Sequence, residues 1–439
     1  MMLLSVTKAQ PLSGEICIQG AKNSALPILA AALVCRTPCV LENCPALTDT
    51  ERALEILQSL GCRVRRRADR VWIDASAARG TRVPAEYAGQ MRASVLFLGA
   101  LLARHGQAQI ALPGGCPIGL RPVDLHLHAF RTLGMEAEQQ NGELFCRAAG
   151  CRAACVRLRY PSVGATENAL LAALRCPGRT LILNAAREPE ICDLCRFLRR
   201  CGARIGGEGG TAISVEGGSA LSGARYRIMP DRMEAASFCC MAAACGGEIR
   251  LRHACLSDFQ SVASVLRACG CSLQQEDGAV AVARTGPLRM PRGPVRTGPF
   301  PAFATDAQAV TMAALLKAEG ACIFEETVFE DRFLHVPELR RLGADIAVNG
   351  ASACVTGVES LRGAYLTARD LRGAAAMTVA ALTAEGRSYL GGLDHLRRGY
   401  SDFEQKLRAL GAQAEWVEDE PPEARQRECY ENPEKEKPE

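Results

Sequence analysis

The segment from 112 to 127, LPGGCPIGLRPVDLHL, sets Cys116 among Pro113, Gly114, Gly115, Pro117 and Gly119. So many turn-forming residues make a surface loop without regular structure, suited to a lid. A thiol there is more exposed than one on an apolar helix. In a cationic cleft its pKa would fall, making it a thiolate or a poised proton donor. Arg121 and Asp124 flank Pro122 just beyond the loop, and their side chains can read a polar ligand through charged hydrogen bonds.

A second group of polar residues stands where Ala-rich helices are expected to begin: Lys22 and Asn23, Arg92, Thr166 and Glu167, Arg232 and Glu234, Asp306, and Arg372. A helix N-terminus presents unpaired N–H groups and partial positive charge, so it favours anions. Lys22, Arg92 and Arg372 oppose that dipole. An anion bound among them would offset the cost, and pairing with acidic neighbours would do so equally well.

These residues are carried by a repeat. An amphipathic helix, then Gly, then a strand-like stretch occurs six times: RALEILQSLGCRV, LHAFRTLGMEA, LCRFLRRCGARI, VASVLRACGCSL, PELRRLGADIAV and FEQKLRALGAQA. The glycines are Gly61, Gly134, Gly202, Gly270, Gly343 and Gly411, so successive spacings are 73, 68, 68, 73 and 68. The first three copies and the last three share one internal spacing. Leu54, Leu57 and Leu60 fall on one helical face, and the glycine after the last of them supplies a left-handed C-cap. Upstream of each copy lies an Ala-rich segment, apolar nearly all round and therefore buried: NSALPILAAAL, RASVLFLGALLA, ATENALLAALR, EAASFCCMAAA, DAQAVTMAALLKA and RGAAAMTVAALTA. Strand-like runs such as CVLENC, AQIALP and EIRLRH follow them. A unit of roughly 70 residues exceeds usual solenoid periods. Two globular α/β domains of three units each are expected, closed around a pseudo-threefold axis with the Ala-rich helices inside and a ligand cleft between the domains.

The composition sets limits. The chain has 439 residues, 48% hydrophobic and 23% charged, with a net charge of +4. That describes a packed protein of two or three domains and no nucleic-acid or anionic-membrane binder. The longest apolar runs, Ala25 to Cys35 and Ala235 to Cys245, fall short of the roughly 18–20 residues that span a bilayer. The opening MMLLSVTKAQ has no basic n-region, so a cytoplasmic protein is expected. The 22 cysteines include one Cys-x-x-Cys, Cys192 to Cys195, without a second pair or a nearby His. They read as small buried apolar side chains, with no metal site expected. The basic run Arg63 to Arg67 reads as a solvated strand.

GAKNSALPILAAAL at 20 to 33, the GGC loop with RPVDLHL, SVGATEN at 162 to 168, PDRMEAASF at 230 to 238, TDAQA at 305 to 309, ETVFEDRFLHVPEL at 326 to 339, DLR at 370 to 372 and RGY at 398 to 400 together resemble the UDP-N-acetylglucosamine 1-carboxyvinyltransferase family. The resemblance runs from about residue 5 to residue 415. It implies an inside-out α/β barrel, the enolpyruvyl transferase fold, with two domains of three βαβαββ-like repeats. It places a C-terminal domain at 1–21 plus 231–417, an N-terminal domain at 22–230 carrying the Cys116 loop, and a disordered tail at 418–439. It implies transfer of the enolpyruvyl group of phosphoenolpyruvate to the 3-hydroxyl of UDP-N-acetylglucosamine, through a tetrahedral ketal and with loss of phosphate. By the resemblance, Cys116 is the acid and Asp306 a candidate base. Lys22, Arg121, Arg372 and Arg398 bind phosphoenolpyruvate or its intermediate, and Arg92 and Arg332 are further cleft cations. Asn23 contacts substrate. The sugar-nucleotide side takes in Arg121, Pro122, Val123, Asp124, Leu125, Ser162, Val163, Gly164, Asp306 and Val328, with Glu330 and Asp370 as supporting carboxylates. No cofactor, metal or macromolecular partner is implied, and a monomer is expected.

The sequence departs from the family pattern in places. Tyr160 and Pro161 precede SVGAT where a basic and an apolar residue are frequent, Ala304 stands for Pro, and Arg397 stands for an acidic residue. RGAAA follows Leu371 in place of a Ser-containing run. None of these removes a catalytic side chain. Two other readings are distinguishable: the sister enzyme acting on shikimate 3-phosphate, whose first motif resembles GDKS and which lacks the loop cysteine, and a catalytically silent sugar-nucleotide-binding homologue.

Overall fold

The computed structural model describes residues 2–114, 119 and 121–418. Cys116 and the residues after 418 lie outside the described set. The chain divides into two compact units. One comprises Gln19–Asp231 with Pro299–Pro301; the other comprises Met1–Ile18, Arg232–Gly298 and the chain from Ala302 onward. They are called the Gln19 unit and the Arg232 unit below.

Each unit has three Ala-rich helices at its core. In the Gln19 unit they are Lys22–Ala32, Leu96–His105 and Val163–Ala173; in the Arg232 unit, Arg232–Cys245, Thr305–Ala314 and Leu371–Ala381. Every residue of Leu371–Ala381 is buried, Arg372 included. Small side chains let such helices pack at close range. At Gly99 an added Cβ would sit 2.6 Å from Asn168 Oδ1 and 2.9 Å from its backbone oxygen, so glycine is what allows Leu96–His105 to approach Val163–Ala173. Arg92 does not open an α-helix as expected. Arg92–Val95 is a tight 3-10 turn that leads into Leu96–His105, a frequent form of helix entry.

The amphipathic helices pack outside these cores. Pro189–Arg200 buries Ile191, Leu194, Cys195, Phe197 and Leu198, and its Arg199 and Arg200 complement the negative end of the helix dipole. The six repeat glycines all have positive φ, between +77° and +102°, so each is the left-handed turn that ends its helix.

Each repeat contributes a four-stranded sheet with one pairing scheme, a parallel edge pair followed by two antiparallel pairs. In the first repeat the order is Arg225–Arg227, Cys39–Glu42, Arg70–Asp74, Arg63–Arg67, with Tyr226 opposite Leu41. The edge strand thus arrives from the far end of the Gln19 unit. The Arg232 unit is closed similarly by the chain start. Leu12–Cys17 pairs in parallel with Gly247–Arg252, and Met2–Thr7 lies antiparallel between Arg387–Gly391 and Ala414–Glu418. Gly247–Arg252 buries Ile249 and Leu251 and exposes Glu248, Arg250 and Arg252, so this sheet covers the helices with one face and meets water with the other. Helices inside and sheets outside make each unit an inside-out α/β barrel. Arg63–Arg67 is a solvated strand as expected, with Arg66 paired to Glu51 at 2.9 Å. No helix among the described residues is long and apolar enough to cross a membrane.

Candidate active site

In the Gln19 unit, Lys22 is the first residue of its helix. Its N–H donates to Asp231 Oδ2 at 3.1 Å, and its Nζ lies 3.7 Å from Asp49 Oδ2. Their side chains are 14% and 6% exposed, so Asp49 faces this cation in a largely dry place. Asn23 beside it is half-buried. Ser24, one residue further, donates to Asp193 at 2.5 Å, and Asp193 also accepts from the Tyr226 hydroxyl at 2.6 Å and the Met229 N–H at 3.2 Å. Burial pushes the Asp193 carboxyl up despite these donors. The helix start carrying Lys22 is thereby tied to Pro189–Arg200 and to the closing strand.

Arg92 turns its guanidinium onto backbone. It donates to the Arg121 carbonyl and, at 3.3 Å, to the Pro122 carbonyl. Burial and the charge of Arg121 lower its pKa to about 10, which leaves it cationic at neutral pH. Arg92 therefore holds the chain just after the Cys116 loop. Asp124 begins the helix Asp124–Thr132, where a carboxylate suits the dipole, and it pairs with Arg159 on the surface. Ser162 caps Val163–Ala173, its hydroxyl accepting from the Ala165 N–H at 3.4 Å, and Val163 and Gly164 supply the first helical N–H groups. Glu167, one turn on, is buried, and burial with Glu190 and Glu188 pushes its carboxyl well above the usual carboxylate range.

A buried pair links these segments. Asn168 accepts from the Gly99 N–H at 2.8 Å and donates to the Val95 carbonyl at 3.0 Å and to His126 Nδ1 at 2.7 Å. Both amide hydrogens are thus used, so His126 accepts at Nδ1 and carries its proton on Nε2. Burial lowers the His126 pKa to about 4. A Cβ on Gly164 would meet the His126 ring at 3.2 Å. The Arg92 turn, the Asp124 helix and the Ser162–Gly164 turn are held together through this one contact set.

In the Arg232 unit, Asp306 sits between two arginines. Arg332 Nη2 donates to Asp306 Oδ1 at 2.6 Å, and Arg372 Nη2 donates to Oδ2 at 2.9 Å. The arginine side chains are 4% and 7% exposed, whereas that of Asp306 is 31% exposed, so the carboxylate is the part open to solvent. Arg332 also donates to the Thr305 carbonyl at 3.2 Å. Arg372 donates to the Tyr400 hydroxyl at 3.2 Å; that hydroxyl lies 2.7 Å from Ser237 Oγ, which itself donates to the Met233 carbonyl. Asp370 caps the Arg372 helix by accepting from the Arg372 and Gly373 N–H groups at 2.9 and 3.1 Å. Arg398 ends the turn Leu393–Arg398 and is half-buried, two residues before Tyr400. Val328 is positioned by Glu326. One Glu326 oxygen accepts from the Val328 and Phe329 N–H groups at 2.8 and 3.2 Å and from Thr297 at 2.9 Å, and the other accepts from the Thr305 hydroxyl at 2.9 Å. Glu330 is exposed. Glu234, one of the helix-start residues, is fully buried and pairs with Lys406 at 2.6 Å; of the helix-start cations, Lys22 and Arg372 have the acidic neighbours Asp49 and Asp306.

Asp306, Arg332 and Arg372 are thus in one cluster, and Arg92 meets Arg121 and Pro122. Asn168, His126, Glu326, Ser237 and Tyr400 support them, although sequence reasoning gave these residues no role. For Asn168 and Ser237 the signal is a polar side chain inside an otherwise apolar stretch, in ENALLAAL and EAASFCC.

A family model described as EPSP synthase (3-phosphoshikimate 1-carboxyvinyltransferase) matches residues 6–407. The enolpyruvyl transferase NikO from Streptomyces tendae superposes with a TM-score of 0.84 at 26% identity, covering 95% of this chain and 99% of that one. The EPSP synthase of Acinetobacter baumannii superposes at 0.74 with 17% identity over 95% of this chain and all of that one, and so shares the fold. The architecture is that of an enolpyruvyl transferase. UDP-N-acetylglucosamine 1-carboxyvinyltransferase 1 of Caldanaerobacter subterraneus is 42% identical over 93% of this chain and 97% of its own length, and UDP-N-acetylglucosamine 1-carboxyvinyltransferase 2 of Mesorhizobium japonicum is 44% identical over 94% and 98%. The chain belongs to the UDP-N-acetylglucosamine 1-carboxyvinyltransferase family.

Proposed function

We propose that the chain transfers the enolpyruvyl group of phosphoenolpyruvate to the 3-hydroxyl of UDP-N-acetylglucosamine with release of phosphate, the first committed step of peptidoglycan synthesis. The observation that carries this reading is the 42–44% identity, over more than nine-tenths of the chain, to relatives named for that activity. The residue chemistry supports it. Phosphoenolpyruvate has a carboxylate and a phosphate, and Lys22, Arg121, Arg372 and Arg398 supply fixed cations for them. Guanidinium forks match both groups. Cys116 protonates C3 of the enol, which leaves an oxocarbenium-like C2. Asp306 accepts the proton of the attacking sugar hydroxyl, with Arg332 and Arg372 holding its carboxylate in place. The Cys116 thiolate then takes a proton from the C3 methyl group, the proton held by Asp306 passes to the departing phosphate oxygen, and the C2–O bond to phosphate breaks as the C2–C3 double bond is restored. Ser162, Val163 and Gly164, at a helix N-terminus, receive the anionic nucleotide, with Asn23, Arg92, Pro122, Val123, Asp124, Leu125 and Val328 beside it and Glu330 and Asp370 as supporting carboxylates. We assign the Lys22, Cys116 and Ser162 groups to an N-terminal domain of 22–230, and the Asp306, Arg372 and Arg398 groups to a domain of 1–21 plus 231–417. Both substrates are phosphorylated metabolites of the cytoplasm, and that compartment belongs to the proposal.

The reading is tested by incubating the protein with isotopically labelled phosphoenolpyruvate and UDP-N-acetylglucosamine. The expected result is one equivalent of phosphate per labelled enolpyruvyl sugar nucleotide, seen by mass spectrometry. Ligand binding without label transfer would establish the silent homologue instead.

A further inference from the structure

Three cysteines that play no part in the active site converge in the Gln19 unit. The sulfurs of Cys35, Cys39 and Cys201 lie within 4.8 Å of one another, and the residues are 0%, 0% and 2% exposed. All three are free thiols. Cys35 follows the helix Lys22–Ala32, Cys39 opens the strand Cys39–Glu42, and Cys201 ends Pro189–Arg200. The segment 221–224 runs beside these cysteines. The Ser222 N–H donates to the Cys201 carbonyl at 3.0 Å, the Arg36 N–H to the Leu221 carbonyl at 2.9 Å, and the Val40 N–H to the Ala224 carbonyl at 3.0 Å. Arg36, Thr37 and Pro38, between the first two cysteines, are exposed, so the thiols lie one short turn beneath the surface.

We propose that Cys35, Cys39 and Cys201 form a binding site for a soft monovalent cation, Cu(I), held by three sulfurs. The separations allow it, since two sulfurs on a trigonal centre with metal–sulfur bonds of about 2.3 Å stand about 4 Å apart. The donor set chooses the ion. Thiolates select Cu(I), Zn(II) or iron–sulfur clusters, whereas calcium and magnesium require oxygen. Structural zinc takes four ligands, and among the described residues no carboxylate or imidazole joins these three sulfurs. A trigonal soft ion uses what is there. Thiols that become thiolate ligands release their protons to solvent on binding. The bound ion ties the first repeat to the third, which are distant in sequence, so it stabilises the closed unit by mass action. None of the three thiols touches the proposed chemistry, so turnover is unaffected.

The test uses the full chain, reduced and kept anaerobic, with exposed Cys17, Cys155 and Cys255 replaced by Ser in every protein compared. Cu(I) is titrated against a chromophoric Cu(I) chelator. One equivalent is expected to be withheld from the chelator and to raise Tm, and both effects should vanish in Cys35→Ser, Cys39→Ser and Cys201→Ser. X-ray absorption on the parent should show three sulfur neighbours, a readout that needs no variant to fold. Equal copper retention in the parent and in folded variants would overturn the proposal. So would retention of Zn(II), with Cu(I) surrendered to the chelator, or a copper edge with other than three sulfurs.

Discussion

Replacing Asn168 by Ala removes the acceptor of the Gly99 N–H at 2.8 Å, the donor to the Val95 carbonyl at 3.0 Å and the donor to His126 Nδ1 at 2.7 Å. Asn168 is fully buried, so water cannot readily replace these partners. Each orphaned buried group costs about 1–3 kcal/mol. With some relaxation of the helices, about 4 kcal/mol of stability should be lost, which is a large share of the 5–15 kcal/mol typical of a domain. Urea unfolding followed by circular dichroism reads this loss. His126→Phe strands only one amide hydrogen of Asn168, so about 1–2 kcal/mol is expected there. Both changes loosen the turns that carry Arg92, Asp124 and Ser162 and leave the proposed acid and base, Cys116 and Asp306, unsubstituted. The KM for the sugar nucleotide should therefore rise more than kcat falls. An Asn168→Ala protein within about 0.5 kcal/mol of wild type, as at an ordinary surface site, with unchanged KM, would refute the idea that this pair positions the site.

Asp306→Asn should cost at least about 100-fold in turnover if the carboxylate is a base, since positioned bases contribute about 10²–10⁴. It should also destabilise the Arg232 unit by about 3 kcal/mol, because two nearly buried guanidiniums lose their counter-ion; a double-mutant cycle with Arg332→Met separates the two effects. Cys116→Ala should abolish phosphate release while Cys116→Asp retains it, and the epoxide fosfomycin, which alkylates the loop thiol in the resembling family, should inactivate the wild type with a matching gain in intact mass. His126 and His335 are buried neutral, each with its pKa lowered by burial to about 4. Their unfolded forms take up protons below about pH 6.5, so stability should be full above that value and fall between about pH 6.5 and 4, by up to about 3 kcal/mol for each histidine. In His126→Phe that acid limb should be shallower, as measured by denaturation at stepped pH.

The Ala-rich helices and their strand partners were legible because hydrophobic periodicity and glycine caps are local signals. Gly61, Gly134, Gly202, Gly270, Gly343 and Gly411 each turn left-handed where the pattern placed the helix end. The closure of each unit was not legible, because Arg225–Arg227 pairing with Cys39–Glu42 depends on register between distant segments of unremarkable composition. The candidate cations were visible as charges that oppose a helix dipole, yet their partners were not. Nothing local says that Arg332 and Arg372 share Asp306, or that Arg92 spends its donors on the carbonyls of Arg121 and Pro122. Glu326 and Asn168 stand inside the family motifs, but a polar residue reveals a positioning role only when its partners are seen, four for Glu326 and three for Asn168. The Cys35–Cys39–Cys201 cluster is hidden in the sequence for a similar reason: ligand spacing along the chain does not show it, because Cys201 comes from another repeat.

Phosphate release from phosphoenolpyruvate, measured in parallel with UDP-N-acetylglucosamine and with shikimate 3-phosphate as acceptor, tests the proposed function most directly. Release with the sugar nucleotide and none above background with the shikimate is expected. Release with shikimate 3-phosphate alone, or with neither acceptor from a folded and reduced protein, would contradict it.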